Sequence, residues 1–260
     1  MKNSAKRRKL VVGNWKMNPQ THEEARKTLM GIKKVFTKIK NVDVVVCAPY
    51  PYLFLLGKGA YPVLWGAQDV FWETSGSFTG EISAHMLVNS GCTHVIIGHS
   101  ERRTLGETDE VVSKKIFAAV GEGLKVIVCV GEKERDEHGQ YLEFLKNQLR
   151  DSFAKVPKRY ISQLIIAYEP LWAIGKSYNT AMTGKDMQEI SIFIKKILAD
   201  LYSKDESAKT PILYGGSVAP INATDLIESG QIDGFLVGRQ SLEAGSFNQI
   251  IEIVSKTRIS

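Results

Sequence analysis

Eight short runs of β-branched and aliphatic residues recur along this 260-residue chain, each followed by a polar or glycine-bearing turn and then a helical pattern. The runs cover residues 10–13, 42–46, 63–66, 94–97, 126–129, 164–167, 211–214 and 234–237. They lack strict apolar–polar alternation, as parallel strands covered on both faces do. Between the first two, Thr21-His22-Glu23-Glu24 has the form of a capping box, after which Ala25, Leu29, Ile32 and Phe36 fall on one helical face. Met187, Ile190, Ile194, Ile197 and Leu201 form a second apolar stripe, with Lys195 and Lys196 on the other face. Eight strand-then-helix units in a chain of this length fit a closed (β/α)8 barrel, eight parallel strands ringed by helices, better than an open doubly wound sheet. With 43% hydrophobic and 24% charged residues and no linker-like stretch, the chain can bury one full core. Residues 10–260 therefore read as a single α/β domain.

The net charge of +6 suggests an anionic partner until its position is considered. Lys2, Lys6, Arg7, Arg8 and Lys9 lie in the first ten residues with no acid among them, so taking those five from +6 leaves +1 for the remainder. Residues 1–9 read as a basic, frayed arm ahead of a nearly neutral domain, and neither nucleic acid nor a membrane is an expected partner. No apolar stretch approaches the roughly 20 residues that span a bilayer, and the basic start is not followed by the apolar segment of an export signal. Cys47, Cys92 and Cys129 are odd in number, far apart and set among apolar or small residues, which suggests neither a disulfide framework nor a zinc site. The expected setting is a reducing cytoplasm.

The unusual polar residues sit just past the carboxyl ends of different runs: Asn14 and Lys16, His99, Glu132, Glu169, and Ser217. In a closed barrel those ends meet at one mouth, whereas in an open sheet the first and last would stay apart. The octapeptide Tyr168-Glu169-Pro170-Leu171-Trp172-Ala173-Ile174-Gly175 places a carboxylate at the end of an apolar run. Pro170 biases Glu169 toward extended geometry, and the small Ala173 and Gly175 permit a bend that Trp172 could anchor. That is the layout of a base beneath a lid; taken alone, it also fits a solvated or ion-paired carboxylate. Asn14 and Lys16, two residues apart at a strand end, are expected to share a face. Gly215-Gly216-Ser217 and Gly238 can bring bare amide groups close to an anion.

Four motifs, in this order, carry a family resemblance. Gly13-Asn14-Trp15-Lys16-Met17-Asn18 follows the first run, Gly98-His99-Ser100-Glu101-Arg102-Arg103 the fourth, the octapeptide the sixth, and Tyr214-Gly215-Gly216-Ser217-Val218 the seventh. Together they resemble triosephosphate isomerase from the first strand to the last helix. The resemblance implies a TIM barrel and proton transfer between adjacent carbons of a phosphorylated three-carbon sugar, in glycolysis and gluconeogenesis, with no redox cofactor or metal. By the same resemblance Glu169 is the base and His99 the electrophile, roles that belong to the family and are not read from spacing. Lys16 then acts on the developing oxyanion and the phosphate, Asn14 donates to the same oxygens and helps bind the substrate, and Glu101 is expected to pair with Lys16. From the residues alone a local pair with Arg102 or Arg103 is as good. Ser217, Gly238, Arg239 and the lid's Gly175 are implied around the phosphate, with Trp172, Tyr214 and Glu132 in support.

Two places depart from the family pattern. The lid continues Gly175-Lys176-Ser177-Tyr178-Asn179-Thr180-Ala181 where the family has a second glycine, and Gly238 is followed by Arg239 where a glycine is usual. If that last position needs positive φ, arginine costs about 1 kcal/mol there. The expected effect is altered lid kinetics or phosphate affinity. The segment Trp72-Glu73-Thr74-Ser75-Gly76-Ser77-Phe78-Thr79-Gly80-Glu81 resembles the family's long third loop, which implies a homodimer in which Thr79 supports the neighbouring subunit's site. Left uncovered, Phe71, Trp72 and Phe78 would make an exposed apolar patch.

Overall fold

The computed structural model describes residues 8–36, 39, 41–57, 63–173 and 182–257. Among them all eight apolar runs are strands: β1 (Lys9–Asn14), β2 (Val42–Cys47), β3 (Leu64–Ala67), β4 (Cys92–Ile97), β5 (Lys125–Val130), β6 (Leu164–Tyr168), β7 (Ile212–Tyr214) and β8 (Gly234–Val237). Each is parallel to its neighbours, and β1 pairs with β8 from Leu10 against Gly234 to Gly13 against Val237, closing the barrel in sequence order. Ten α-helices among the described residues surround it. They are α1 (His22–Phe36), α2 (Tyr50–Gly57), α3 (Ala84–Asn89), α4 (Ser100–Thr104), α5 (Asp109–Gly121), α6 (Gln140–Phe153), α7 (Gly184–Leu201), α8 (Lys204–Lys209), α9 (Pro220–Glu228) and α10 (Ala244–Lys256).

Strand side chains divide by the two-residue period. Leu10, Val12, Val45, Cys47, Ile96, Ile127, Cys129, Ile165, Ala167, Leu213 and Leu236 pack together as the interior of the barrel. Their sequence neighbours, among them Val11, Val46, Val95, Val128, Ile166 and Phe235, join the larger core beneath the helices. Burial on both faces explains the unbroken apolar runs, each aliphatic side chain contributing roughly 1.5–3 kcal/mol. Carried one step further, the same period names the floor of the mouth: Asn14 on β1, Gly131 after β5, Glu169 after β6, Gly215 after β7 and Gly238 after β8. Three of these positions are glycine, and of those Gly215 and Gly238 line the cavity. A Cβ on Gly131 would lie 1.9 Å from the Glu169 carbonyl oxygen, and one on Gly215 would lie 2.9 Å from Glu169 Cγ.

The capping box of α1 forms, with the Glu24 amide donating to Thr21 Oγ1 at 3.2 Å and the Thr21 amide to Glu24 Oε2 at 3.3 Å. Ala25, Leu29 and Ile32 are buried; the Phe36 side chain lies outside the described residues. On α7, Met187, Ile190, Ile194 and Ile197 are buried, but Leu201, at the end of the helix, stays exposed while Leu198 fills the last turn. Lys195 is not a solvated charge either, since its ammonium caps the carbonyls of Ser207 at 2.7 Å and Thr210 at 2.5 Å.

The amino-terminal arm is shorter than its charge run. Lys9 belongs to β1 and is buried with Nζ donating to Thr257 Oγ1 at 2.9 Å, and Arg8 pairs with Asp43 at 2.9 Å. Residues 1–7 lie outside the described residues. All three cysteines are free and buried. Among the described residues no helix is long and apolar enough to cross a membrane, and no cluster of His, Cys, Asp and Glu is arranged to hold a metal ion.

The Gly131 contact generates a test of the packing. Gly131→Ala must push β5 from β6, so it is expected to lower stability by about 1–3 kcal/mol or more in chemical denaturation. Wild-type stability would contradict the closeness of that approach.

Candidate active site

A cavity of about 620 Å³ opens at the carboxyl ends of the strands. Asn14, Lys16, His99, Glu101, Glu169, Ser217, Gly238 and Arg239 all line it, together with Gly215 and Gly216. The closed barrel thus brings together residues 225 positions apart, from Asn14 to Arg239.

Glu169 is 2% exposed, and its amide continues the β6 pairing by donating to Val130 O at 2.8 Å. Its Oε1 faces His99 Nε2 at 3.1 Å, and its Oε2 accepts the Ser100 amide at 3.1 Å. Burial works against the charged carboxylate, but the His99 imidazole, the Ser100 amide and Lys16 outweigh it and hold the carboxyl below its ordinary range.

His99 caps the short helix α4, with Nδ1 accepting the Glu101 amide at 3.2 Å. An accepting Nδ1 leaves the ring proton on Nε2, where it is donated to Glu169. Burial disfavours the imidazolium, as does Lys16, whereas the Glu169 carboxylate favours it and prevails in this arrangement, raising the affinity of the ring for a second proton.

Lys16 departs from the simple strand picture. β1 ends at Asn14, and Lys16 has a φ of 55° in the left-handed region, so alternation no longer governs where it points. Instead its amide donates to Asn14 Oδ1 at 3.1 Å and its carbonyl accepts Gln68 Nε2 at 2.9 Å. These bonds hold a backbone conformation that costs roughly 1–2 kcal/mol for a residue with a side chain. Lys16 Nζ donates to Glu101 Oε1 at 2.6 Å, while Arg102 pairs with Asp69 at 2.8 Å and Arg103 with Asp109 at 2.6 Å. The choice left open for Glu101 therefore falls to Lys16.

Across the cavity, the Gly215 amide is committed to Tyr168 O at 2.8 Å, and Ser217 Oγ donates to Ala173 O at 3.3 Å. Arg239 opens the 3-10 turn Arg239–Ser241 and is exposed. The only non-glycine residues with positive φ among those described are Lys16 and Gln231, so the strain considered for Arg239 is absent.

Some expected site residues lie elsewhere. Glu132 does not line the cavity, because alternation along β5 turns its side chain outward; its buried Oε1 accepts Tyr168 Oη at 2.7 Å and Trp172 Nε1 at 2.8 Å. Arg135 covers the Trp172 ring from 5.4 Å. Tyr214 is fully buried in the wall. Thr79 is exposed and does not reach the mouth of its own barrel. Beside it the rings of Phe71 and Trp72 stack at 4.0 Å and those of Phe71 and Phe78 at 4.7 Å, so only Phe78, at 43%, is strongly exposed. Gly175 and residues 176–181 lie outside the described residues. Two contributors were not anticipated, the Ser100 amide and Gln68. Gln68 directly follows β3, the strand-end position that marked the others.

The sequence model of the triosephosphate isomerase family matches residues 9–254. The triosephosphate isomerase of Endomicrobium trichonymphae is 44% identical over 252 residues, covering 95% of this chain and 98% of that protein. That of Thermoanaerobacter pseudethanolicus is 42% identical, covering 94% and 99%. The crystal structure of triosephosphate isomerase from Bartonella henselae superposes with a TM-score of 0.84 at 36% identity, covering 95% of this chain and 98% of that one. Fold, cavity and sequence agree, and the chain belongs to the triosephosphate isomerase family.

Proposed function

We propose that this chain interconverts D-glyceraldehyde 3-phosphate and dihydroxyacetone phosphate in glycolysis and gluconeogenesis, with Glu169 as the base. The observation that carries the assignment is the 3.1 Å contact between Glu169 Oε1 and His99 Nε2, a base and a proton donor facing each other in one cavity. A triose entering between them offers a C–H bond to the carboxylate and its oxygens to His99, Lys16 and Asn14. The proton passes to Glu169, the C–H electron pair forms the C=C bond of an enediolate, and the carbonyl oxygen takes the charge. As the proton returns to the neighbouring carbon, the hydroxyl proton passes by way of His99 from the former hydroxyl oxygen, which becomes the new carbonyl, to the former carbonyl oxygen, which becomes the new hydroxyl, and the isomerisation is complete. No electron is gained or lost, and the transfer calls on no metal.

Substrate entry also resolves the electrostatics. Glu169 is held below its ordinary range mainly against its own burial by His99. A ligand that separates the two leaves burial to raise the basicity of the carboxylate, and leaves burial and Lys16, opposed by Glu101, to favour the neutral form of His99. Ser217, Gly238 and Arg239 face the phosphate in this reading, and the Gly175 amide joins them from the lid. Trp172, Tyr214 and Glu132 support the lid's first turn. The departures at residues 176–181 and at Arg239 tune closure and phosphate affinity. The catalytic domain takes in Lys9 as the first residue of β1 and works in the cytoplasm. It pairs as a homodimer whose loop around Thr79 supports the partner's Lys16 and the partner's His99; Phe78, 43% exposed, and Met17, 85% exposed beside Lys16, are apolar surfaces that such a pairing would cover.

A coupled assay with glyceraldehyde 3-phosphate tests the chemistry. Glu169→Gln should lower kcat by about 10²–10⁴-fold, the usual contribution of a positioned base, and a chelator should change nothing. An active variant or a metal requirement would refute the mechanism. The pH dependence follows from the depressed carboxyl: the enzyme's acid limb in kcat/KM should lie below the ordinary glutamate value of 4.5 and move upward in His99→Gln, which removes the main stabiliser of the carboxylate. The limb from the substrate's own phosphate, at about pH 6, should stay in place. Sedimentation velocity should find a dimer, and a fully active monomer at assay concentration would overturn the loop assignment.

A further inference from the structure

The first four residues of α4 divide into two functional pairs. Ser100 and Glu101 serve the site directly: the Ser100 amide bonds Glu169, the Glu101 amide bonds His99 Nδ1, and the Glu101 carboxylate bonds Lys16. Arg102 and Arg103 turn away from the cavity and anchor the helix on either side. At five residues α4 has too few internal hydrogen bonds to hold its own geometry. The alignment of three site contacts therefore depends on what fixes those two arginines.

Arg103 has the more telling set of partners. Its Nε donates to Gly98 O at 2.7 Å, its Nη1 to Asp109 Oδ1 at 2.6 Å, and its Nη2 to Cys129 O and Ser152 Oγ, both at 3.4 Å. The Arg103 backbone amide donates to His99 O at 3.0 Å. One residue thus holds both the carbonyl immediately before His99 and the carbonyl of His99 itself. Gly98, at φ +71°, is the left-handed turn that aims His99, and a Cβ there would sit 3.0 Å from Arg103 Nη2. Cys129 lies on β5, whose next residue, Val130, accepts the Glu169 amide. The guanidinium therefore spans the two strand ends that carry the electrophile and fix the base.

We propose that Arg103 is a positioning residue for the isomerase reaction, setting the separation of His99 and Glu169 by bridging the carbonyls of Gly98 and Cys129. The proposal rests on the reading of Glu169 as base and His99 as electrophile. A planar fork with several fixed donors suits this bridge, whereas a single ammonium cannot reach both carbonyls at once. Asp109 holds the outer edge of the guanidinium and touches neither strand end, so the bridge and the ion pair can be separated.

The test compares Arg103→Gln, Arg103→Lys and Asp109→Asn, with Glu169→Gln alongside. Arg103→Gln should lower kcat by about 10–100-fold with KM within about threefold, as expected for a sub-ångström misplacement of reacting groups. Its enzyme acid limb in kcat/KM should rise, because the Ser100 amide and His99 no longer align on the carboxylate. Arg103→Lys should lose less, and Asp109→Asn should keep kcat within about threefold whatever its melting temperature. Wild-type kcat and pH profile in Arg103→Gln would overturn the proposal, as would Asp109→Asn losing as much kcat as Arg103→Gln. If Arg103→Gln does not fold, Arg103→Lys decides the matter, since wild-type kcat in that variant would refute the bridge. Full activity in Glu169→Gln is a separate result, which would remove the base assignment itself.

Discussion

Hydrogen bonding between β1 and β8 turns eight parallel strands into a ring, and the ring is what makes a site out of distant residues. In a closed parallel barrel every carboxyl end opens on the same face. Asn14 and Lys16 from the start of the chain thereby share a cavity with Gly238 and Arg239 from its end, with His99 and Glu169 between. The interior below is filled by aliphatic side chains, so the mouth has a solid, apolar floor. Glycine at 215 then leaves room beside the Glu169 side chain, and glycine at 131 lets the backbone there approach the Glu169 carbonyl closely.

Within this frame the chemistry depends on a balance between burial and nearby charge. Glu169 is buried nearly completely, which alone would favour its neutral form, yet His99, the Ser100 amide and Lys16 keep it ionised. His99 in turn has its proton placed by the Glu101 amide. Three of these interactions pass through α4, and α4 is held by Arg102 and Arg103 rather than by its own length. The reactive pair is thus organised from outside the cavity as much as from within it.

The barrel was legible because its eight apolar runs carry the signature of strands buried on both faces. Glu169, His99 and Ser217 were legible as polar residues placed just past those runs. What sequence could not fix was direction at single-residue resolution. Glu132 looked like Glu169, but a one-residue difference in phase puts Gly131 inward and turns Glu132 into the wall. Lys16 lies past the end of its strand in a left-handed conformation, so alternation gave the right neighbour, Asn14, for the wrong reason. Leu201 fitted the apolar stripe of α7 yet ends the helix exposed, and Lys9 carried arm-like charge yet sits inside β1. The close backbone approach at Gly131 and the room beside Glu169 at Gly215 have no positive signal in a sequence at all, because both depend on side chains that are missing.

The most direct measurement is a carbon-13 titration of the Glu169 carboxyl, in the free protein and with an unreactive phosphorylated triose analogue bound. The carboxyl should titrate below 4.5 when it faces His99, and should rise by at least about one unit, or 1.4 kcal/mol, when the analogue separates them. A carboxyl that titrates the same way in both states, or falls further on binding, would contradict a base whose strength is released by its substrate.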